Sequence, residues 1–160
     1  MTAPVYIRLG RAPAPNFTDP NDVYSVEEIY AYRFGENPRL LLLACGTMLY
    51  PTLNAAEVLK GRGVDSVVLG ISCVKPFCGD AVAHYVELLD IQCVVTVEEH
   101  QVAGGFGGVV AEALSSKHPV RIVRLGVYDS FGESGAPEDL LCKYKLDAAG
   151  IAEQVMGCAL

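Results

Sequence analysis

The sequence predicts an α/β domain built on a mainly parallel sheet with helices on both faces. Three observations predict it. Strand-length apolar runs alternate with helix-length amphipathic segments three times over, between residues 39 and 115. The central runs, residues 39–45, 65–71 and 92–97, are dominated by consecutive apolar residues (LLLLAC, VVLGI, CVV) instead of alternating, which is the pattern of strands covered on both faces. Glycines and a Lys-Pro pair fall at the junctions between segments.

Taken in order, residues 4–9 (PVYIRL) read as a short strand, followed at once by Arg11. The stretch after it carries Pro13, Pro15 and Pro20, which block regular helix and favour an extended linker. A lone strand before a linker has no local partner and points to a sheet supplied by other residues. Residues 29–34 alternate as a strand does, and residues 35–38 turn the chain. Residues 39–45 form the first buried strand, broken by Gly46 and Thr47. A helix follows from Met48 to about Lys60, with Leu53, Ala56 and Leu59 on its apolar face and Gly61 and Gly63 at its end. Residues 65–71 are the second buried strand, Lys75-Pro76-Phe77 a turn, and residues 79–89 the second helix. Residues 92–97 are the third buried strand, and a third helix runs to about Ser115. Residues 120–125 make a fourth strand of this series. Residues 137–144 and 147–156 close the chain as two short helices, with Pro137 suited to a first helical turn.

Composition narrows the function classes. The 160 residues are 51% hydrophobic, with a mean hydropathy of +0.31, enough for one domain with a sizeable core. No apolar run reaches the roughly 18 residues of a membrane span, and the N-terminus lacks signal-peptide character. A soluble cytosolic protein without a membrane partner is expected. The formal charge of −7 argues against nucleic acid as a partner, since a phosphate backbone calls for a basic face. Six cysteines are present, but none form C-x-x-C, and Cys73 with Cys78 has no second half at zinc-site spacing. Free thiols are expected, with Cys45 and Cys93 acting as small hydrophobes in the strands.

The most informative stretch is residues 92–114. Its β-branched run leads into Glu98, Glu99 and His100, then into Gly104, Gly105, Gly107 and Gly108. We read a buried strand, a tight polar turn and the glycine-rich start of a helix. The carboxyl end of such a strand is where ligands or partners meet an open α/β sheet. The glycines do not spell G-x-G-x-x-G, because Val110 holds the last position, and no GK[ST] follows, so they serve close helix packing and not a nucleotide. His100 is the best single candidate for chemistry, since a neighbouring carboxylate can set its tautomer and raise its basicity. The competing role is a hydrogen bond across a subunit or domain interface. The lack of a nucleophile or second histidine nearby favours that role. His84 and His118 read as surface groups. Residues 129–135 (DSFGESG) do not have EF-hand spacing and read as a connecting or interface loop.

These segments together resemble the C-terminal domain of transketolases. The resemblance rests on VTVEEHQVAGGFGGVVAEAL and RLGVYDSFGESGAPEDLLCKYKLDAAGIAEQV, with LLLLACGTMLYPTLNAAEVL and VVLGISCVKPF upstream. The EEH-x3-GG-x-G and FGESG-x-PE-x-LL motifs are specific in combination. PVYIRLGR resembles the end of the preceding pyrimidine-binding domain. The shorter, split-type transketolases match the pattern best. Deoxyxylulose-phosphate synthases and 2-oxoacid dehydrogenase E1 β subunits share the domain more distantly and are the alternatives, together with a stand-alone regulatory ligand-binding module. Ala136 departs from the family's threonine cap.

The resemblance implies a three-layer α/β/α domain whose five-stranded, mostly parallel sheet has one antiparallel edge strand. It divides the chain into a terminal strand of a pyrimidine-binding domain (1–11), a linker (12–28) and the C-terminal domain (29–160). For the complete enzyme it implies thiamine diphosphate and Mg²⁺, two-carbon ketol transfer between sugar phosphates, and a place in the pentose phosphate pathway. Neither cofactor is expected in this chain. The diphosphate-binding GDG…N motif is absent, Gly79-Asp80-Ala81 not matching it, and the activating glutamate belongs to the pyrimidine domain. The chain is therefore expected to be part of a transferase, without turnover alone and without a catalytic residue of its own. Its expected partners are a second copy, as a homodimer, or the N-terminal thiamine-binding part. Arg11 matches the arginine that contacts the sugar phosphate, and Arg8 sits close to it. Glu98, Glu99, His100, Gly104, Gly105 and Gly107 match the domain's own signature, near the subunit interface, with no catalytic step assigned.

Overall fold

The computed structural model describes residues 4–7 and 13–158. Five strands form one sheet: β1 (Ile29–Arg33), β2 (Leu40–Cys45), β3 (Ser66–Ile71), β4 (Cys93–Gln101) and β5 (Arg121–Val127). Their spatial order is β1-β3-β2-β4-β5. β1 pairs antiparallel with β3, and every other pair is parallel. The helices are α1 (Leu49–Gly61), α2 (Gly79–Leu88), α3 (Phe106–Lys117), α4 (Pro137–Lys143) and α5 (Ala148–Cys158).

The continuous apolar run of β2 has a direct explanation. Successive strand side chains point to opposite faces. Leu40, Leu42 and Ala44 enter one core with Ala55, Ala56 and Leu59 of α1 and Ile151, Ala152 and Val155 of α5. Leu41 and Leu43 enter the other with Val82 and Val86 of α2 and Phe106, Val110 and Leu114 of α3. Each fully buried leucine stabilises the fold by roughly 1.5–3 kcal/mol, so a polar residue in this run would oppose the fold from either face. The sheet is thus a three-layer sandwich with α1 and α5 on one side and α2 and α3 on the other.

Two expectations need correction. The apolar face of α1 is centred on Thr52, Ala55, Ala56 and Leu59, with Leu53 only partly buried. Thr52 can sit inside because its hydroxyl donates to the Met48 carbonyl, 2.7 Å away. The polar turn expected at Glu98–His100 is strand instead, since β4 continues to Gln101. After an irregularity, Gln101 pairs with Val127, and the Val102 amide donates to the Val127 carbonyl at 2.9 Å. Acidic residues stay in that strand because protein donors satisfy them, as described below. The strand expected over residues 4–9 lies partly outside the described residues, and residues 4–7 are unpaired here. Val5, Tyr6 and Ile7 are exposed, with no pairing strand among the described residues.

The proline-rich stretch contains no helix or strand over residues 13–28 but is stapled to the domain by aromatic rings. Phe17 lies 5.9 Å from Tyr32 of β1 and 5.6 Å from Tyr50 of α1, centroid to centroid. Tyr24 packs edge-on against Tyr30 at 5.0 Å, and the Ser25 amide donates to the Tyr30 hydroxyl. At α4, Ala136 stands at the N-cap without a side-chain hydrogen bond and Pro137 opens the helix, as the sequence predicts.

Candidate functional site: the cleft between β2 and β4

The topology singles out one place on the sheet. After β2 the chain turns through Gly46–Met48 into α1, which packs on one face. After β4 it turns into α3, which packs on the opposite face. The two neighbouring parallel strands therefore send their connections apart, and a crevice opens at their carboxyl ends. An open cleft of about 400 Å³ lies there, lined among others by Cys45, Thr47, Glu98, Glu99, His100 and Phe106.

Glu98 is the centre of this cleft. Its side chain is only 2% exposed. Oε2 accepts a hydrogen bond from the Phe106 amide at 2.6 Å, and Oε1 accepts one from the Gly107 amide at 2.8 Å. Those amides are the free donors of the first turn of α3, which is also the positive end of the helix dipole. The carboxylate thus caps α3 from the preceding strand. The turn between them bends at Gly104, whose φ of 75° suits glycine. Gly105 is required for room, because a Cβ there would overlap the Glu98 carboxylate and come within 2.5 Å of the Gln101 carbonyl.

The expected partnership of His100 with its acidic neighbours is not formed. Glu99 Oε2 accepts from the Thr47 hydroxyl at 2.9 Å, across the cleft. His100 is 63% exposed, and its Nδ1 lies 4.0 Å from Glu98 Oε2, beyond a hydrogen bond. Nδ1 instead meets the Gln101 carbonyl at 2.8 Å. That oxygen can only accept, so Nδ1 carries the proton in this contact. Cys45, at the cleft wall, is no nucleophile. Burial, aided by the Glu98 charge, pushes its thiol up to about 11. Nor do three or more His, Cys, Asp or Glu side chains come together as a metal site among the described residues. The cleft has two carboxylates, a hydroxyl and an imidazole, but no assembled acid–base or nucleophilic set.

The structure brings Glu98, Glu99, His100, Gly104 and Gly105 to one rim, with Gly107 contributing its amide. Arg8 and Arg11 lie outside the described residues. His84 is exposed on α2, while His118 is half-buried. Two features were missed in the sequence. One is the capping role of Glu98, whose only signal is an acid at the end of a buried strand followed by a glycine-rich helix start. The other is the exposed aromatic pair of the loop at residues 128–136, a segment the sequence does mark as a connecting or interface loop. There Phe131 is 99% exposed and Tyr128 is also exposed. Glu133 anchors the loop to α4, pairing with Lys143 at 2.5 Å and accepting from Tyr144 at 3.0 Å. Gln101 ties it to β4 by donating to the Ser130 carbonyl at 2.6 Å. A second depression of about 260 Å³ lies between this loop and α4 and shares Glu99 with the first.

Comparison with known proteins agrees with this architecture. The model of the "Transketolase, C-terminal domain" family matches residues 30–151. The chain is 39% identical over 148 residues to the 6-deoxy-6-sulfo-D-fructose transketolase subunit SqwH of Clostridium sp. (strain MSTE9), covering 92% of this chain and 45% of that protein. It is 31% identical over 160 residues to the putative transketolase C-terminal section of Methanocaldococcus jannaschii, covering 96% and 47%. Among solved structures, a split-gene transketolase described as an inactive β4 tetramer superposes with a TM-score of 0.82 at 33% identity, covering 92% of this chain and 47% of that one. The chain thus spans less than half the length of these relatives. Sheet order, the lone antiparallel edge, the two helical layers and these matches lead to one conclusion: the chain belongs to the transketolase C-terminal domain family.

Proposed function

We propose that this chain supplies the C-terminal domain of a split-type transketolase, giving structural support and an assembly surface, while thiamine diphosphate, Mg²⁺ and the two-carbon transfer between sugar phosphates belong to the complete enzyme. In this reading residues 1–11 end a pyrimidine-binding domain, residues 12–28 link it to the rest, and residues 29–160 are the C-terminal domain. The partner is a second copy, an N-terminal thiamine-binding part, or both, in the cytoplasm. No helix among the described residues is long and apolar enough to cross a membrane.

The observation that carries the reading is the donor set of the cleft. A diphosphate calls for free amides and cationic or metal partners. Here the amides of Phe106 and Gly107 are already taken by Glu98, and Glu99 adds a second negative charge. The residues present do not fit the cofactor, and no step is derived through it. The exposed Phe131 and Tyr128 of the loop at residues 128–136 support a contact role for that loop. Self-association is supported by the similar chain solved as an inactive β4 tetramer.

Calorimetric titration of the chain with thiamine diphosphate and Mg²⁺ tests the assignment, and a stoichiometric heat of tight binding would overturn it. Mixing the chain with a separately prepared cofactor-binding part, then assaying ketol transfer against 2-oxoacid decarboxylation, distinguishes a transketolase from an E1 β subunit. For Arg11, the reading expects Arg11→Ala in the complete enzyme to raise KM for phosphorylated sugars more than for unphosphorylated ones. Equal effects on both would remove the phosphate role.

A further inference from the structure

We infer that Glu98 acts as the cleft's own ligand: its carboxylate occupies the anion site that the fold creates between β2 and β4, closing that site to phosphorylated molecules while fixing the turn that leads from the end of β4, with Glu99 and His100, into α3.

Elementary electrostatics leads there. Diverging connections at the switch point leave the first amides of α3 facing the crevice, where an anion is favoured. In this chain those amides face inward to a carboxylate 2% exposed, each oxygen receiving one N–H at 2.6 or 2.8 Å. Gly105 and Gly126 lack the Cβ atoms that would press on the Glu98 side chain. The shape is that of a bound small carboxylate, supplied by the chain and tethered to β4. Because Glu98 holds both ends of residues 99–105, it also fixes the course of the turn into α3. Glu99 reaches Thr47 at the start of α1, and His100 turns outward. This role holds whether or not the chain assembles as proposed above.

The test is to vacate the site and ask whether an external carboxylate refills it. In the chain as it stands, inorganic phosphate or formate at millimolar concentration is expected to leave the amide resonances of Phe106 and Gly107 unmoved. Glu98→Ala is expected to lower the midpoint of thermal unfolding by roughly 5–10 °C. Formate should restore part of that loss and shift the two resonances, whereas formamide, of similar size but uncharged, should do neither. A purely structural methylene stem would show no such preference. Should Glu98→Ala not fold, Glu98→Gln keeps the volume and removes the charge, and faster hydrogen exchange at Phe106 and Gly107 is the expected result. The inference is overturned if phosphate moves those resonances in the unaltered chain, or if formate fails to act on Glu98→Ala. Unchanged exchange and unfolding midpoint in Glu98→Gln would also overturn it.

Discussion

The two halves of β4 belong to one strand and obey different rules. From Cys93 to Val97 the side chains are buried between two helical layers, four of the five being apolar. From Glu98 to Gln101 the strand carries charge and polarity, yet its first residue is as buried as the valines. Burial in the first half needs only apolar area. In the second it needs a hydrogen-bond donor for each oxygen, because an unpaired buried carboxylate would be far too costly. The contrast shows why a buried acid at the carboxyl end of a strand need not mean catalysis. Here the acid is consumed in holding a helix, and the groups free to meet another molecule are Glu99, His100 and Phe131.

The comparison can be sharpened by substitution. The largest effect is expected in the sandwich itself, where Leu42→Ala leaves a cavity between β2 and the α1–α5 layer and should cost about 2–5 kcal/mol in denaturant unfolding. A loss below about 1 kcal/mol would mean that this layer collapses around the gap. Gly105→Ala probes the rim, where the added methyl group meets the Glu98 carboxylate and the Gln101 carbonyl. A loss of roughly 1–3 kcal/mol is expected, with increased hydrogen exchange at the start of α3. Stability equal to the parent would show that the carboxylate has room to move. Thr96→Val should shift stability the other way. The Thr96 hydroxyl is buried with no hydrogen-bond partner among the described residues, so replacing it with a methyl group should stabilise by about 0.5–1 kcal/mol. Smallest is His100→Ala, expected to stay within about 0.5 kcal/mol because the ring is exposed and bonds only its neighbour's carbonyl. A larger loss by thermal unfolding would give His100 a structural role that its present contacts do not explain.

Much of this molecule is legible in the chain of letters because local rules dominate it. Runs such as LLLLAC and SVVLGI are apolar on both faces, and glycines or prolines interrupt them, so strand and helix follow from periodicity. The missing cap at Ala136 was equally visible, since capping is a matter of one side chain and its nearest amides. Legibility fails where a residue's partner is distant or on another element. Thr52 looks polar and is buried, because its hydroxyl bonds one helical turn back. The stretch at residues 13–28 looks like a free linker, yet rings on β1 and α1 hold it.

The candidate site divides along the same line. Composition and pattern alone determined that Glu98, Glu99 and His100 stand at the end of a buried strand, before a glycine-rich helix. Only the tertiary structure decided what each does. The three adjacent side chains meet the α3 amides, the Thr47 hydroxyl and solvent respectively. A sequence specifies which groups can donate, accept or carry charge. Which of them meet depends on how distant strands and helices pack, and here the opposed departures of α1 and α3 from neighbouring strands made that choice.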